Sequence, residues 1–176
     1  SNNYGPNQHA EKLVPLTITR ALAGEEIPVY GDGKQIRDWL FVRDHVEALS
    51  LISFSGSIGS TYNLGGNNQI TNLEVVSTIC DALEKYRPSQ IAIGKPYHSL
   101  VGHVPDRPGH DRMYGVDISK VRKELSWEPI TRFADGIDQT VTQDGASLSG
   151  LPSNTPTKEN KGREAYDIGL NIKNQN

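Results

Sequence analysis

The sequence predicts an α/β or α+β fold, because segments typical of strands and of helices alternate along most of the chain. The clearest helix covers residues 71–86 (TNLEVVSTICDALEKY), which open with a capping box formed by Thr71 and Glu74. Short apolar segments bounded by glycine turns, such as residues 27–31 (IPVYG), are typical of strands. At 176 residues the chain has room for one domain with a substantial core.

The first helix is predicted at residues 11–24 (EKLVPLTITRALAG). Its leucines and alanines form a broken stripe with helical spacing. Pro15 suits the first turn, where the missing N–H costs nothing, and Gly24 suits the C-terminal stop.

Two strands should follow, at residues 27–31 and at residues 36–42 (IRDWLFV). We predict that they pair as a hairpin, because Asp32-Gly33 between them tolerates positive φ. An amphipathic helix at residues 44–54 and a strand at residues 61–66 (TYNLGG) come next.

The helix at residues 71–86 should end at Pro88, which cannot continue it. Beyond it we predict strands at residues 91–94 (IAIG) and 112–117 (RMYGVD), a helix at residues 118–125 with Asp117 as N-cap, and a last helix at residues 131–142 interrupted by Gly136.

The pattern ends after Asp144. Residues 145–162 are rich in Ser, Gly, Pro, Asn and Thr, and such a segment buries too little apolar area to offset its ordering entropy. We therefore divide the chain into a domain at residues 1–144 and a flexible C-terminal tail at residues 145–176.

Composition excludes several classes of function. The net charge of -3 and the absence of a basic run argue against nucleic-acid binding. No apolar stretch approaches the roughly 20 residues of a membrane span, and the scattered histidines suggest no metal site. Cys80 stands among apolar residues, so we expect a small buried hydrophobe in a reducing, cytoplasmic compartment. The chain opens without methionine on a polar turn, so we expect a fragment of a longer protein.

Residues 106–112 (DRPGHDR) could bind an anion. Arg107 and Arg112 offer forked donors suited to phosphate oxygens, and the Pro-Gly turn brings backbone N–H groups close. The alternative is an ordinary surface turn with ion pairs to the neighbouring aspartates. Composition does not choose between these interpretations.

Arg37 either pairs with Asp38 or points into a cleft. If Arg37 and Arg107 converge, the two guanidinium groups would neutralise a diphosphate. Asn2 and Asn3 carry amides useful for a carboxamide or a sugar hydroxyl, although asparagine is also a common turn residue.

Two motifs are rejected. Tyr30 and Lys34 have the spacing of a catalytic Tyr-x-x-x-Lys pair, but the glycines between them are incompatible with the helix face such a pair requires. The stretch GDGK lacks the spacing of a phosphate-binding P-loop.

The segments SNNYGP, EKL, PVYGDGKQIRDWLFVRDH, YNLGG and DRPGHDR occur in one chain and in this order. Together they resemble the C-terminal part of the dTDP-glucose 4,6-dehydratases, which belong to the extended short-chain dehydrogenase/reductase family. The resemblance covers about residues 1–143. It implies an NAD(P)-binding Rossmann-like fold, of which this chain would be mostly the small α/β substrate-binding domain plus the TYNLGG strand of the parallel sheet.

The resemblance also implies an activity. Enzymes of this kind use bound NAD to convert dTDP-glucose into dTDP-4-keto-6-deoxyglucose and water. Carried onto this sequence, the resemblance implies that Asn3 lies beside the nicotinamide of NAD and that Asn2 contacts the substrate. It implies that Lys12 and Leu13 lie near the sugar and phosphates, and that Arg37 and Arg107 bind the diphosphate. Around the thymine it implies Pro28, Val29 and Tyr30, and in the rest of the nucleotide pocket Asn72, Asp106, Pro108, Gly109 and His110. Asn72 has a competing role as a helix-cap residue.

The residues that the resemblance implies for catalysis, a tyrosine and lysine on one helix and an Asp-Glu pair, are absent from these 176 residues. We therefore expect this chain to be inactive alone. The resemblance also implies that the full-length protein is a homodimer. Two alternatives stay open: a UDP-sugar epimerase or decarboxylase of the same fold, and a non-catalytic nucleotide-sugar-binding module.

Overall fold

The computed structural model describes residues 1–88 and 94–148. Its elements follow one another as β1 (Asn2–Tyr4), α1 (Leu13–Ala23), β2 (Ile27–Tyr30), β3 (Ile36–Phe41), α2 (Val42–Ser55), β4 (Gln69–Thr71), α3 (Asn72–Tyr86), a 3-10 turn (Tyr97–Leu100), β5 (Val101–Val104), α4 (Ser119–Leu125) and α5 (Phe133–Leu148). The predicted α/β class is confirmed. Within the described ranges, no helix combines the length and the apolar character that spanning a membrane requires.

Local signals predicted the best-defined helices correctly. Helix α1 ends at Gly24, which adopts the left-handed conformation with φ of 69° and donates its N–H to the carbonyl of Ala21. Helix α3 begins with the capping box, in which the Thr71 hydroxyl accepts from the Glu74 N–H and the Glu74 carboxylate accepts from the Thr71 N–H. Both features depend on hydrogen bonds between residues close in sequence, so they do not depend on which distant segments pack against the helix.

The strands form two small sheets. In the first, β3 lies between β1 and β4, parallel to β1 with Asn2 opposite Trp39 and antiparallel to β4. In the second, β2 pairs in parallel with β5, with Ile27 opposite Val101. Parallel neighbours need long connections, and here helices supply much of them.

The predicted hairpin is wrong, because β2 and β3 lie in different sheets. The turn between them has Gly31 and Gly33 in the left-handed region, with φ of 58° and 69°. After this turn β3 pairs with β1, whereas β2 pairs with β5. Strand propensity and turn chemistry were read correctly, but strand pairing depended on distant segments.

Three other predicted elements differ. Residues 61–66 form no strand, since the bonds to this segment are isolated ones, from the Ser1 amino group to Leu64 O and from Gly66 N–H to the Asp38 carboxylate. Residues 112–117 contribute only a single bridge, between Met113 and Ile36. The strand predicted at residues 91–94 lies almost wholly outside the described residues.

The last two helices also shift from prediction. Helix α4 begins one residue later than an Asp117 N-cap requires, although the Asp117 carboxylate still accepts from the N–H and hydroxyl of Ser119. Helix α5 runs through Gly136 without interruption and continues to Leu148, beyond the predicted boundary at Asp144. The rest of the predicted tail, residues 149–176, lies outside the described residues.

Strand β3 separates two apolar clusters. Its alternation places Trp39 and Phe41 in one cluster with helices α1, α3 and α5, and Leu40 in another with helices α2 and α4. Cys80 is fully buried in the first cluster, as predicted, and burial raises the pKa of its thiol to about 12.

Two buried carboxylates attach loops to this frame. Asp38 accepts from the backbone N–H groups of Gly66 and Asn68, at 3.0 and 2.9 Å. Asp44 accepts from the N–H of Ile130 and from both the N–H and the hydroxyl of Thr131. These bonds satisfy carboxylates that would otherwise be costly to bury.

Candidate functional site

Arg37 is a buried cation that pairs with no carboxylate among residues 1–88 and 94–148. Its side chain is on β3, and only 8% of the residue is exposed. The guanidinium donates to the carbonyls of Ile36 and Asp111, both at 2.8 Å, and stacks over the ring of Tyr114. The predicted pairing with Asp38 does not occur, because successive residues of a strand face opposite ways and Asp38 binds the loop at Gly66. Arg37 therefore faces the 106–112 loop, and no described carboxylate neutralises its positive charge.

The 106–112 loop has its own hydrogen-bond network. The Asp106 carboxylate accepts from His110 Nδ1 at 2.6 Å, from the Arg107 N–H at 2.8 Å and from Gln35 Nε2 at 2.8 Å. These bonds, the one from His110 above all, lower the pKa of Asp106. Gly31 permits the close approach, since a Cβ there would lie 2.9 Å from the Asp106 carboxylate. The loop is thereby held against the turn after β2.

Arg107 and Arg112 have different environments. The Arg107 guanidinium lies over the ring of Tyr30, 5.4 Å from its centroid, and 3.2 Å from His110 Nε2. Within the described part of the chain it makes no ion pair with a carboxylate. Arg112 instead forms a two-pronged ion pair with Asp32, at 2.9 and 3.1 Å. Arg112 is thus neutralised by a carboxylate, but by the distant Asp32 and not by the neighbouring Asp106 or Asp111 of the surface-turn interpretation. No described carboxylate neutralises Arg107, which lies beside an aromatic ring.

Strand β2 presents Pro28 and Tyr30 on the face away from the core. Tyr30 is 42% exposed, whereas Val29 is buried in the first cluster. Only the backbone of Val29 can therefore reach a ligand on this face. Pro108 and Gly109 form the exposed tip of the neighbouring loop, with Gly109 at a φ of 71°.

A cleft of about 430 Å³ lies beside β1. It is lined by Ser1, Asn2, Asn3, Gln8, Lys12, Leu13 and Trp39. The cleft thus joins four predicted site residues: Asn2 and Asn3 from β1, Lys12 from the turn before α1, and Leu13 from the start of α1. Lys12 is exposed and pairs with the equally exposed Glu11, a contact of little energetic weight.

The two asparagines of the cleft are oriented by different partners. Asn3 Oδ1 accepts from His45 Nδ1 at 2.6 Å, and burial lowers the pKa of His45. Asn2 Oδ1 accepts from the Tyr114 hydroxyl. Because Tyr114 also lies under Arg37, contacts run from the cleft to the 106–112 loop.

Asn72 does not cap helix α3, because Thr71 occupies the cap position. Asn72 is the first residue of the helix, and its backbone N–H donates to Gln35 O at 3.0 Å. Its side chain makes no hydrogen bond to the described residues. The cap interpretation is therefore wrong, and a ligand role for this amide stays a prediction.

Four residues of this region were not singled out from sequence: Gln8, Trp39, His45 and Tyr114. Each reaches the site through segments far apart in the chain. Tyr114 in particular lies in a segment predicted as a strand. No local signal marks these residues, because their neighbours are set by tertiary packing. Among the residues that the structure describes, no group of three or more His, Cys, Asp or Glu side chains could hold a metal ion.

Comparison with known proteins gives consistent results. Residues 1–140 match the family model described as GDP-mannose 4,6 dehydratase. A dTDP-glucose 4,6-dehydratase from Xanthomonas campestris pv. campestris is 56% identical over 141 residues, which cover 80% of this chain and 40% of that protein. One from Neisseria gonorrhoeae is 54% identical, again over 80% of this chain and 41% of that protein. The chain thus spans about 40% of the length of the curated relatives it matches.

Solved structures show the same relationship. A Bacillus anthracis dTDP-glucose 4,6-dehydratase in complex with NAD is 40% identical, with a TM-score of 0.73 over 85% of this chain and 44% of that one. A Thermotoga maritima UDP-glucose 4-epimerase with UDP-glucose is 27% identical, with a TM-score of 0.71 over 84% of this chain and 44% of that one. The backbone is therefore shared by proteins named for dehydration and for epimerisation.

Proposed function

This chain belongs to the GDP-mannose 4,6 dehydratase family, and from that premise we propose that it supplies the nucleotide-sugar-binding part of an NAD-dependent dTDP-glucose 4,6-dehydratase. That enzyme converts dTDP-glucose into dTDP-4-keto-6-deoxyglucose and water. The dehydratase is favoured over a UDP-sugar epimerase because identity to a named dehydratase reaches 56%, against 27% to the named epimerase. The domain at residues 1–144 would carry this binding function.

The observation that carries the proposal is a pair of arginines that form no ion pair with a carboxylate in the part of the chain that the structure describes. Arg37 is nine-tenths buried and bonded to backbone carbonyls, and Arg107 lies over Tyr30. Both contact the 106–112 loop, Arg37 through Asp111 and Arg107 as a member of it. A buried cation such as Arg37 is costly unless an anion compensates it, and a diphosphate matches the fork of its guanidinium and of the exposed Arg107 guanidinium. We propose that these two side chains hold the diphosphate.

We assign the other predicted residues to the rest of the ligand. Tyr30 and Pro28 would flank the thymine, with Val29 contributing backbone, and the 106–110 loop and Asn72 would close the nucleotide pocket. The cleft at Asn2, Lys12 and Leu13 would receive the sugar. This assignment orders base, diphosphate and sugar along one surface linked by Tyr114.

Asn3 is the proposed contact to NAD. Its Oδ1 is engaged by His45, while its Nδ2 has only a long bond of 3.4 Å to Ser1 O and can donate to a carboxamide oxygen. NAD would take the hydride from C4 of the sugar and return it to C6. His45 would keep the Asn3 amide in one orientation. A cytoplasmic location, predicted from composition, and a homodimer, predicted from the family resemblance, both stay predictions.

We further propose that these residues alone are inactive. The Tyr-x-x-x-Lys spacing at Tyr30 and Lys34 falls at the end of β2 and in the following turn, where no helix aligns the two side chains. A binding surface without a hydride relay or a placed acid and base does not accelerate the elimination.

The test measures dTDP affinity of the complete gene product by calorimetry. Arg37→Ala and Arg107→Ala should each weaken binding by roughly 1.5 to 3 kcal/mol, the range for a hydrogen bond to a charged group. Arg112→Ala is the matched control, because this arginine of the same loop is already paired with Asp32. Thymidine, which lacks phosphate, should bind all variants alike. Unchanged dTDP binding in both Arg37→Ala and Arg107→Ala would contradict the proposal.

A further inference from the structure

The cleft beside β1 contains buried polar atoms that no group among the described residues satisfies. Ser1 Oγ, Gln8 Oε1 and Trp39 Nε1 are shielded from solvent and have no hydrogen-bond partner, and all belong to residues that line the cleft. Buried donors and acceptors are nearly always paired in folded proteins, because an unpaired one loses its bond to water without replacement. Three in one cleft indicate that a group from outside the described residues supplies the partners.

Trp39 provides the donor. The residue is 4% exposed, and its ring packs edge-on against Tyr4 and near Phe133, with centroids 6.2 Å from each. These neighbours are aromatic and hold the indole in place without offering its N–H an acceptor. A buried tryptophan N–H usually has a partner, so this one requires an acceptor from outside the residues that the structure describes.

Gln8 provides an acceptor. Its Nε2 donates to Asn3 O at 2.8 Å, which commits the amide to one orientation and leaves Oε1 unpaired. An amide oxygen only accepts, whereas an indole N–H only donates. The cleft therefore requires a ligand that donates to Gln8 and accepts from Trp39.

We propose that Trp39 and Gln8 bind hydroxyl groups of the sugar ring of the nucleotide sugar, an assignment that rests on the proposed function. A hydroxyl both donates and accepts, so hydroxyls satisfy the two residues together. A phosphate oxygen would not donate to Gln8. The cleft is thus built for the uncharged part of the ligand, and the arginines at the 106–112 loop for the charged part.

The first experiment uses Trp39→Phe in the complete gene product, which keeps an aromatic ring and removes the N–H. The KM for dTDP-glucose should rise roughly three- to tenfold, the effect of one uncharged hydrogen bond. The inhibition constant of dTDP, which has no sugar, should stay within twofold of wild type. Trp127→Phe is the matched control, because Trp127 is also buried but lies in the second apolar cluster, away from the cleft.

A second experiment keeps the result interpretable if Trp39→Phe folds poorly. Wild type and Gln8→Met are compared on dTDP-glucose and on analogues in which single sugar hydroxyls are replaced by hydrogen. One analogue should bind wild type several-fold more weakly than dTDP-glucose, and Gln8→Met should show a smaller difference for that analogue. The assignment would be overturned if the variants lost affinity for dTDP and for dTDP-glucose equally. It would also be overturned if no analogue gave a different loss of affinity in Gln8→Met than in wild type. Failure of wild type to bind dTDP at all would instead overturn the proposed function beneath it.

Discussion

Gly136 offers a sharp test of how the core is packed. It lies inside helix α5, where glycine normally weakens a helix by up to about 1 kcal/mol relative to alanine. At an exposed helix position, replacing glycine with alanine would therefore stabilise the protein. We predict the opposite, because a Cβ at this position would lie 2.3 Å from the hydroxyl oxygen of Tyr4 and 3.0 Å from Phe41.

The size of the effect follows from the surroundings of Tyr4. Its ring is 1% exposed and packs against Phe41 and Phe133, with centroids 5.5 and 5.0 Å away, so it has no empty volume to enter. Overpacking of this kind costs roughly 1 to 3 kcal/mol. Displacing the ring also weakens the bond from its hydroxyl to Phe133 O, worth roughly 0.5 to 1.5 kcal/mol. After subtracting the gain in helix propensity, we expect a net loss of roughly 1 to 3 kcal/mol.

Urea unfolding of the complete gene product measures this loss, and a double-mutant cycle assigns it. Tyr4→Phe removes the oxygen that meets the new Cβ, so the double variant Tyr4→Phe with Gly136→Ala should be more stable than the sum of the single effects by about 1 kcal/mol or more. Gly136→Ala equal to or more stable than wild type would refute the reasoning. Strict additivity in the cycle would show that Tyr4 is not the cause.

Thr71→Ala should destabilise helix α3 by about 1 kcal/mol through loss of the capping box, measured by thermal unfolding. Hydrogen bonds from Thr71 lower the pKa of Glu74, so the Glu74 contribution is present above its ordinary pKa of about 4.3 and is lost as the pH falls through the lower folded value. The stability difference between wild type and Glu74→Ala should accordingly shrink below about pH 4, and a pH-independent difference would contradict this. Cys80 should react with iodoacetamide only on unfolding, since burial raises its thiol pKa to about 12; rapid labelling of the native protein would show that the site opens.

Local sequence patterns predicted the elements whose signals lie within a few residues. The left-handed Gly24 ends α1 and the Thr71–Glu74 box begins α3 as expected, because the bonds involved are made inside one turn of chain. Strands β2 and β3 were also predicted at their observed positions. Their partners were not, since a strand edge accepts any neighbour and the choice belongs to the packing of distant segments.

The candidate site divides in the same way. Arg37, Arg107, Asn2 and Asn3 were identified from residue type and from the family resemblance. The structure then distinguished the two arginines of the loop. Asp32, 80 positions away in sequence, neutralises Arg112, whereas no described carboxylate pairs with Arg107.

The sequence by itself determined the fold class, the main helices and the residues able to bind an anion, because these depend on composition and on short-range hydrogen bonds. Only the tertiary structure decided which charges stay unpaired, that Gly136 makes room for Tyr4, and that Gln8 and Trp39 share a cleft. The physical reason is that pairing and burial depend on which surfaces meet, and the surfaces that meet here belong to segments separated by up to most of the chain.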